Sequence, residues 1–320
     1  MRVLVTGGAG YIGSHVVRSL QNSGHTAAVL DDFSTGSRTR LSAEAPVFAG
    51  SLLDAAFVEE SLNAFSADAV VHIAAKKAVE ESVANPLFYY EENVIGLQRV
   101  LSAMIRAGTR RILFSSSAAV YGAQACSPVT ETSPTEPSSP YGWTKLMCEQ
   151  MIRDVAAAHD LNWSALRYFN VAGAADPQLA DRGENNLIPK VFRAISSGVP
   201  PQVYGDSYPT PDGSCIRDYI HVNDVADAHT AVLNQMANAP LGSVYNIGTG
   251  TGTSVLDIMA AVRQVTGVDF EYEISAPRPG DPADVVADPT KIRTELGWAS
   301  THDLHDTVES AWRAWSAPPA

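Results

Sequence analysis

Positive charge is scarce in this chain. Lysine and arginine number 22 against 35 aspartates and glutamates, a formal net charge of −13. Such a balance argues against a general nucleic-acid or membrane-surface binder. It still allows a phosphorylated ligand held in a local pocket of arginine and lysine. Cysteine is also scarce, and Cys126, Cys148 and Cys215 are widely spaced. Scattered thiols form neither a disulfide framework nor a zinc site, so no metal is expected and a reducing, cytoplasmic location fits. No apolar run approaches the roughly 18 residues that span a bilayer. Met1 and Arg2 precede only three apolar residues before the glycines, which is not the layout of a signal peptide. Repeats and low-complexity segments are absent as well.

Apolar residues make up 45% of the 320 positions, enough for a sizeable core. They are organised around the opening stretch MRVLVTGGAGYIG. Val3, Leu4 and Val5 read as a buried parallel strand. Gly7, Gly8 and Gly10 follow, and Gly13 falls inside the next helix, Tyr11 to about Ser23. Glycines at G-x-x-G-x-x-G spacing permit a tight turn, admit a pyrophosphate to the backbone N–H groups and let helix pack on strand. The helix N-terminus faces the anion with the positive end of its dipole. A second strand, Ala27 to Leu30, ends in Asp31-Asp32. A carboxylate there is placed to accept from adenosine ribose hydroxyls and would repel a 2′-phosphate. No arginine follows before Arg38, so the pattern reads as NAD, with Asp31 better placed than Asp32; the alternative is a solvated turn carboxylate.

Further strands are expected over 46–49, 69–73 and 111–114, and the pattern around Ser51-Leu52-Leu53-Asp54 caps a helix. The fourth strand, ending at Ile73, runs into Ala74-Ala75, small enough for a cofactor to approach, and then Lys76 and Lys77. Lys77 could reach a pyrophosphate or lie on the surface. Pro86 to Ala107 has the apolar spacing of one long helix. Asn93 inside it calls for a tertiary partner, since asparagine is mildly unfavourable there. The fifth strand leads into Ser115-Ser116-Ser117. Strands alternating with helices give a Rossmann-type, doubly wound parallel sheet, whose ligands sit beyond the carboxyl ends of its strands. The loop from Ala123 to Ser139, rich in serine, proline and threonine, is suited to a lid.

A helix opens at Ser139-Pro140-Tyr141, and Tyr141 and Lys145 share one of its faces. A free tyrosine has a pKa of about 10, and a nearby ammonium lowers it. With Ser117 bonding the same substrate hydroxyl, the set Ser117, Tyr141 and Lys145 would take a proton from a carbinol as its carbon is oxidised by NAD.

At this point the chain resembles the UDP-glucose 4-epimerase family of the extended short-chain dehydrogenases/reductases. The matching segments are TGGAGYIGSH, KAVEES, YYEENVIG, FSSSAAVYG, SPYGWTKLM, LRYFNVAGA, NNLIP, YPTPDGSCIRDYIHV, YNIGTG and RPGD, in order over nearly the whole length. The resemblance implies interconversion of UDP-galactose and UDP-glucose, with bound NAD and a homodimer that pairs helices near 86–107 and 141–159. It implies a NAD-binding domain over 1–168, to which segments around 218–247 return, and a smaller α/β substrate lobe over 169–320. Cofactor contacts would come from Gly7, Gly10, Tyr11, Ile12, Gly13, Asp31, Asp32, Phe33, Ser34, Thr35 and Gly36. They would continue through Ser51, Leu52, Ile73, Ala74, Ala75, Lys77, Asn93, Ser115, Ser117, Tyr141, Lys145, Tyr168 and Phe169. The UDP-sugar would meet Ser117, Tyr141, Asn170, Asn186, Leu187, Val203, Tyr204, Arg217, Tyr219, Arg278, Asp281 and Val285.

Arg217 and Arg278 suit a diphosphate on chemical grounds as well. Their alternative is an ion pair with a neighbour such as Asp218 or Asp281. Asp224 reads as a helix start, Ser254 to Asp257 as a capping pattern, and Trp298, Trp312 and Trp315 as packing residues. Two positions depart from the family pattern. Ser51 stands where an aspartate usually reads the adenine amino group, which weakens the expected cofactor grip. Val285 stands where a bulky tyrosine is associated with exclusion of N-acetylated sugars. A 4,6-dehydratase is disfavoured because Ala118-Ala119 supplies no extra acid after Ser117.

Overall fold

Val3, Leu4 and Val5 have no exposed surface, and they form a strand at the heart of a seven-stranded sheet. A computed structural model describes residues 1–123, 127–183, 185–278 and 280–317. Cys126 lies outside the described residues. In chain order come β1 (Arg2–Thr6), α1 (Tyr11–Asn22), β2 (Thr26–Asp31), β3 (Val47–Ala49), α2 (Ala55–Phe65) and β4 (Ala69–His72). Then follow α3 (Val79–Ala84), α4 (Pro86–Tyr89), α5 (Gly96–Ala107), β5 (Arg111–Ser117), α6 (Pro140–His159) and β6 (Asn162–Tyr168). The remainder comprises β7 (Asn170–Ala172), α7 (Leu187–Ser196), β8 (Gln202–Tyr204), β9 (Ile216–His221), α8 (Val222–Asn238) and β10 (Ser243–Ile247). It closes with β11 (Gly252–Ser254), α9 (Val255–Thr266), β12 (Glu273–Ser275), β13 (Asp284–Val285), α10 (Thr290–Leu296) and α11 (Leu304–Ser316).

These elements form two compact units. The first comprises Met1–Gly122, Thr135–Arg167 and Ala226–Tyr245; the second comprises Ala123–Pro134, Tyr168–Val225 and Asn246–Ala320.

The first unit holds the sheet, in the order β10-β6-β5-β4-β1-β2-β3. β1 pairs in parallel with both β2 and β4, as the alternating strand–helix pattern requires. Its helices bury apolar stripes on the sheet: Val58, Leu62, Leu97, Leu101 and Met104 join Leu4, Val70 and Ile112 in one core. Asp54 starts α2 by accepting from the Ala56 and Phe57 amides. Ser139 caps α6, with Pro140 in the first turn where its missing N–H costs nothing.

The stretch 86–107 is helical, but not as one α-helix. A π-helical segment, Tyr90–Ile95, separates α4 from α5, and it contains Asn93. Helix α3 precedes it and has no counterpart in the sequence reading.

The second unit is built on β9, flanked by β11 and β13, with β7 also pairing to it. β12 and β8 form a separate parallel pair. Phe192, Ile258, Met259, Val262 and Val308 form its core. Trp312 and Trp315 pack on Phe192, with ring centroids 5.1 and 6.0 Å away, and Trp298 is buried. The Ser254–Asp257 pair is a reciprocal capping box. Asp224 does lie in the first turn of α8, but its carboxylate also accepts from Thr301 Oγ1 (2.8 Å) and pairs with His302 Nδ1 (2.9 Å).

The lid expected between 123 and 139 is not borne out for its middle. Val129 is fully buried, its N–H donates to Val286 O, and its carbonyl accepts from Asp288 N, each at 2.8 Å. This is a strand-like bridge to Ala287, not a loose flap.

Candidate active site

The first unit carries a cradle at the carboxyl ends of β1, β2 and β4. Gly7 adopts φ +70°, and a Cβ there would lie 2.6 Å from Ala74 N. That nitrogen and Ile73 N both donate to Thr6 O, so Ile73, Ala74 and the glycine turn form one compact wall. A Cβ on Gly13 would fall 2.1 Å from Gly7 O, so α1 sits directly against the turn. No side chain caps α1 at Gly10, and its first turn, which includes Tyr11 and Ile12, carries no acidic residue. An uncapped helix start behind a glycine turn suits an anion such as a dinucleotide pyrophosphate. The residues present therefore fit NAD.

Asp31 is buried at the end of β2, and it ties the cradle together. Its Oδ2 accepts from Ala9 N (2.9 Å) and its Oδ1 from Phe33 N (2.8 Å). Burial pushes its pKa up, while the two backbone donors pull it down. A neutral hydroxyl can share such a carboxylate. Asp32 is exposed and accepts from the Ser34 amide and hydroxyl. Ser34 Oγ in turn accepts from Lys76 Nζ at 3.1 Å. Lys76, rather than Lys77, thus bridges the β2 and β4 loops; Lys77 is exposed. Phe33 has φ +59° under the Arg38 guanidinium, 4.4 Å from its ring centroid. Thr35 is exposed, and Gly36 sits close to Ala9 and Asp31. Ser51 is exposed and its hydroxyl accepts from Leu53 N, while Leu52 packs on the core. Ala75 is half-buried.

Asn93 has the tertiary partners its helical position called for. Its Oδ1 accepts from Lys76 N (2.8 Å), and its Nδ2 donates to Lys76 O and Thr144 Oγ1 (both 3.0 Å).

Ser117, Tyr141 and Lys145 lie in the same unit. Ser117 Oγ accepts from Ala119 N (3.2 Å), and the Ser117 hydroxyl favours the ionised form of the Tyr141 phenol. Tyr141 is half-buried, and burial of the phenol pushes its pKa up; the Ser117 hydroxyl opposes this. The Lys145 Nζ donates to Ser115 O (2.7 Å) and sits 5.9 Å from the Tyr141 ring centroid. Lys145 is itself buried and pushed down to about 8, although Cys148 and Glu149 nearby favour its charge. The buried His72, on β4, is held neutral, pushed down to about 3 by burial and the Lys145 charge.

A buried ion pair backs this site and had no place in the sequence reading. Arg167 Nε and Nη2 clasp Glu149 Oε1 and Oε2 at 2.8 and 2.6 Å, and Ser116 Oγ donates to Oε1. Arg167 Nη1 also donates to Tyr121 OH.

The remaining candidates lie in the second unit, where β9 gathers them. Asn170 pairs in register with Tyr219, and Val285 with Arg217. Arg217 Nη2 pairs with Asp281 Oδ1 at 2.6 Å. Asp218, the other partner considered, instead accepts from Thr249 N and Oγ1, Gly250 N and Ala287 N. Arg278 is exposed, with its guanidinium 4.3 Å from the Tyr204 ring centroid. Val203 and Val285 are buried, and burial pushes the Tyr219 phenol up. Asn186 precedes α7 without capping it; its Nδ2 donates to Asp181 Oδ2, and Leu187 begins the helix. Tyr168 and Phe169 are nearly buried. Cys215 and Tyr208 adjoin the Arg217–Asp281 pair and escaped the sequence reading. No metal-holding group of histidine, cysteine, aspartate or glutamate occurs among the described residues.

Comparison with known proteins identifies the chain's relatives. Residues 3–248 match the NAD dependent epimerase/dehydratase family. The chain is 43% identical to a UDP-glucose 4-epimerase of Azospirillum brasilense, over 98% of this chain and 91% of that protein. It is 42% identical to one of Lactobacillus helveticus, over 100% and 98%. A crystal structure of the UDP-glucose 4-epimerase of Stenotrophomonas maltophila, with bound NAD and formylated UDP-arabinopyranose, superposes with a TM-score of 0.94 at 39% identity, covering 98% of this chain and 97% of that one. By sequence and by fold, this chain belongs to the NAD-dependent epimerase/dehydratase family and, within it, to the UDP-glucose 4-epimerases.

Proposed function

We infer that this protein is an NAD-dependent 4-epimerase that interconverts UDP-galactose and UDP-glucose. The observation that carries the reading is the presence of Ser117, Tyr141 and Lys145 in the unit that holds the glycine cradle, with the Lys145 ammonium 5.9 Å from the Tyr141 ring centroid. Bound NAD supplies the oxidation at C4 and the return reduction. Tyr141 takes the proton of the 4-hydroxyl and gives it back, and Ser117 orients that hydroxyl. Lys145 sets a positive charge beside both from the Ser115 carbonyl. Gly7, Gly10, Gly13, Tyr11 and Ile12 would hold the pyrophosphate, Asp31 the adenosine ribose, and the loops at 32–36, 51–52 and 73–77 the rest of the dinucleotide. Asn93 would act chiefly by holding the loop at Lys76.

Arg217, Arg278 and Asp281 would anchor the UDP, with Val203 and Tyr204 near its uracil and Asn170, Asn186, Leu187 and Tyr219 around the remainder. Gripping the nucleotide rather than the hexose leaves the sugar free to turn between the two reductive approaches. Val285 is smaller than tyrosine, which favours tolerance of N-acetylated sugars; the Stenotrophomonas relative's UDP-pentose ligand keeps that class open as well.

A homodimer is supported by apolar side chains left exposed in the first unit. Leu87 is 80% exposed and Val83 63%, with Trp143 and Met147 at 42% and 41%. A cytoplasmic location accords with the cysteine usage; no helix among the described residues is long and apolar enough to cross a membrane.

The test is NMR of UDP-galactose incubated with the purified protein, with and without added NAD. UDP-glucose should accumulate to equilibrium, and Tyr141→Phe should fold yet abolish turnover. Near-normal turnover in that variant would remove Tyr141 as the base. UDP-GalNAc in the same assay tests Val285, and sedimentation of wild type against Trp143→Glu tests the dimer.

A further inference from the structure

Tyr141 sits in the first turn of α6, where a helix is least constrained. Its carbonyl accepts from the Thr144 hydroxyl at 2.7 Å. A threonine bonding back one turn is ordinary and by itself only local. Here the same Oγ1 accepts from Asn93 Nδ2 at 3.0 Å, from an element 51 residues away. Thr144 has no exposed surface and Asn93 almost none. Asn93 is in turn clamped to both backbone groups of Lys76, beside the cofactor cradle. Its own carbonyl receives the Cys148 thiol, one turn further along α6. The π-helical segment at 90–95 is what carries Asn93 there.

Lys145 does not perform this service, because its ammonium is held by the Ser115 carbonyl. The backbone beneath the phenol is fixed by Thr144.

We propose that Thr144 is a positioning residue: its hydroxyl, bridging Asn93 to the Tyr141 carbonyl, registers the base against the 73–77 loop. The proposal rests on the reading of Tyr141 as base. It is tested with Thr144→Val, which keeps the shape and removes the hydroxyl, and Thr144→Ser, which restores the hydroxyl. For Thr144→Val we expect kcat on UDP-galactose to fall about tenfold or more, since small misplacements of a reacting group are costly. KM, UDP affinity and bound NAD per chain should hold, and Thr144→Ser should recover most of the rate. Amide exchange over 141–145 should quicken about tenfold in Thr144→Val alone. Unchanged exchange in Thr144→Val, or Thr144→Ser behaving like Thr144→Val, overturns the proposal. So does a loss expressed in KM with kcat intact. A wild-type protein inert toward UDP-galactose would instead count against the proposed reaction, with amide exchange still deciding the part played by Thr144.

Discussion

Replacing Gly13 by alanine sets a gain against a larger loss. Inside a helix, alanine is favoured over glycine by about 1 kcal/mol. The new Cβ, however, would fall 2.1 Å from Gly7 O and 2.8 Å from Gly7 C and Gly8 Cα. Ordinary carbon contacts are about 3.5 Å, so helix and turn must part by about 1 Å. The turn is pinned by Gly7 N to Leu30 O (2.8 Å) and Gly10 N to Gly7 O (3.1 Å). Straining or breaking one buried backbone bond costs about 1–3 kcal/mol, and overpacking about as much again. The net expectation for the cofactor-free protein is a loss of about 1–5 kcal/mol. Gly10→Ala is the control. Its Cβ would meet only Gly7 O, at 3.2 Å, and its φ of −75° suits any residue. That variant should lie within about 1 kcal/mol of wild type. Urea denaturation of the stripped proteins measures both, and the NAD carried through purification measures the cradle. Gly13→Ala as stable as Gly10→Ala would refute the steric argument. Gly10→Ala that is stable but empty of NAD would assign Gly10 to the ligand alone.

Arg167→Met should destabilise by about 3 kcal/mol, because it leaves the fully buried Glu149 with only the Ser116 hydroxyl and the more distant Arg153 (3.6 Å). Adding Glu149→Met should recover more than half; a double loss equal to the sum of the singles would refute a coupled pair. Lys145 is pushed from 10.5 to about 8 by burial, so between those values the unfolded chain binds the extra proton. Wild-type stability relative to Lys145→Met should therefore rise from pH 8 to 10.5, by up to about 3 kcal/mol; a flat or falling difference in denaturation titrations would contradict it. Asp218→Asn turns an amide toward four donors that now meet a carboxylate. It should cost about 2 kcal/mol in the same assay, and no loss would mean those bonds are weak.

Much of the first unit was legible because its signals are local. Three apolar residues followed by glycines define β1 and its turn, and the expected limits of α1 and β2 fall within a residue or so of those observed. The positions of Tyr141 and Ser117, in the first turn of a helix and at a strand end, were legible as well. The destination of the Lys145 ammonium was not: four-residue spacing gives a shared face, whereas the Ser115 carbonyl is supplied by another element. The π segment was hidden because apolar spacing runs through it, and what distinguishes it is the tertiary bonding of Asn93. Other clues were present and unused. Arg217 and Asp218 are neighbours on one strand, so their side chains point to opposite faces and could not pair, which leaves Asp281. Val129 was an apolar residue in a polar loop, the mark of an anchor.

The route of the chain has a bearing on how the protein is made. The sheet of the first unit takes its edge strand β10 from residues 243–247, long after β6 has been completed. Until then β6, with six of its seven residues buried in the finished fold, is an open edge beside β5. At ordinary elongation rates, the ribosome needs on the order of ten seconds to bridge that gap in the sequence. During that interval the nascent chain presents a strand with unpaired backbone groups able to pair with its neighbours on the same message. The β6 edge is thus open to wrong pairing until β10 emerges, and cutting the gene after β6 would leave it open permanently.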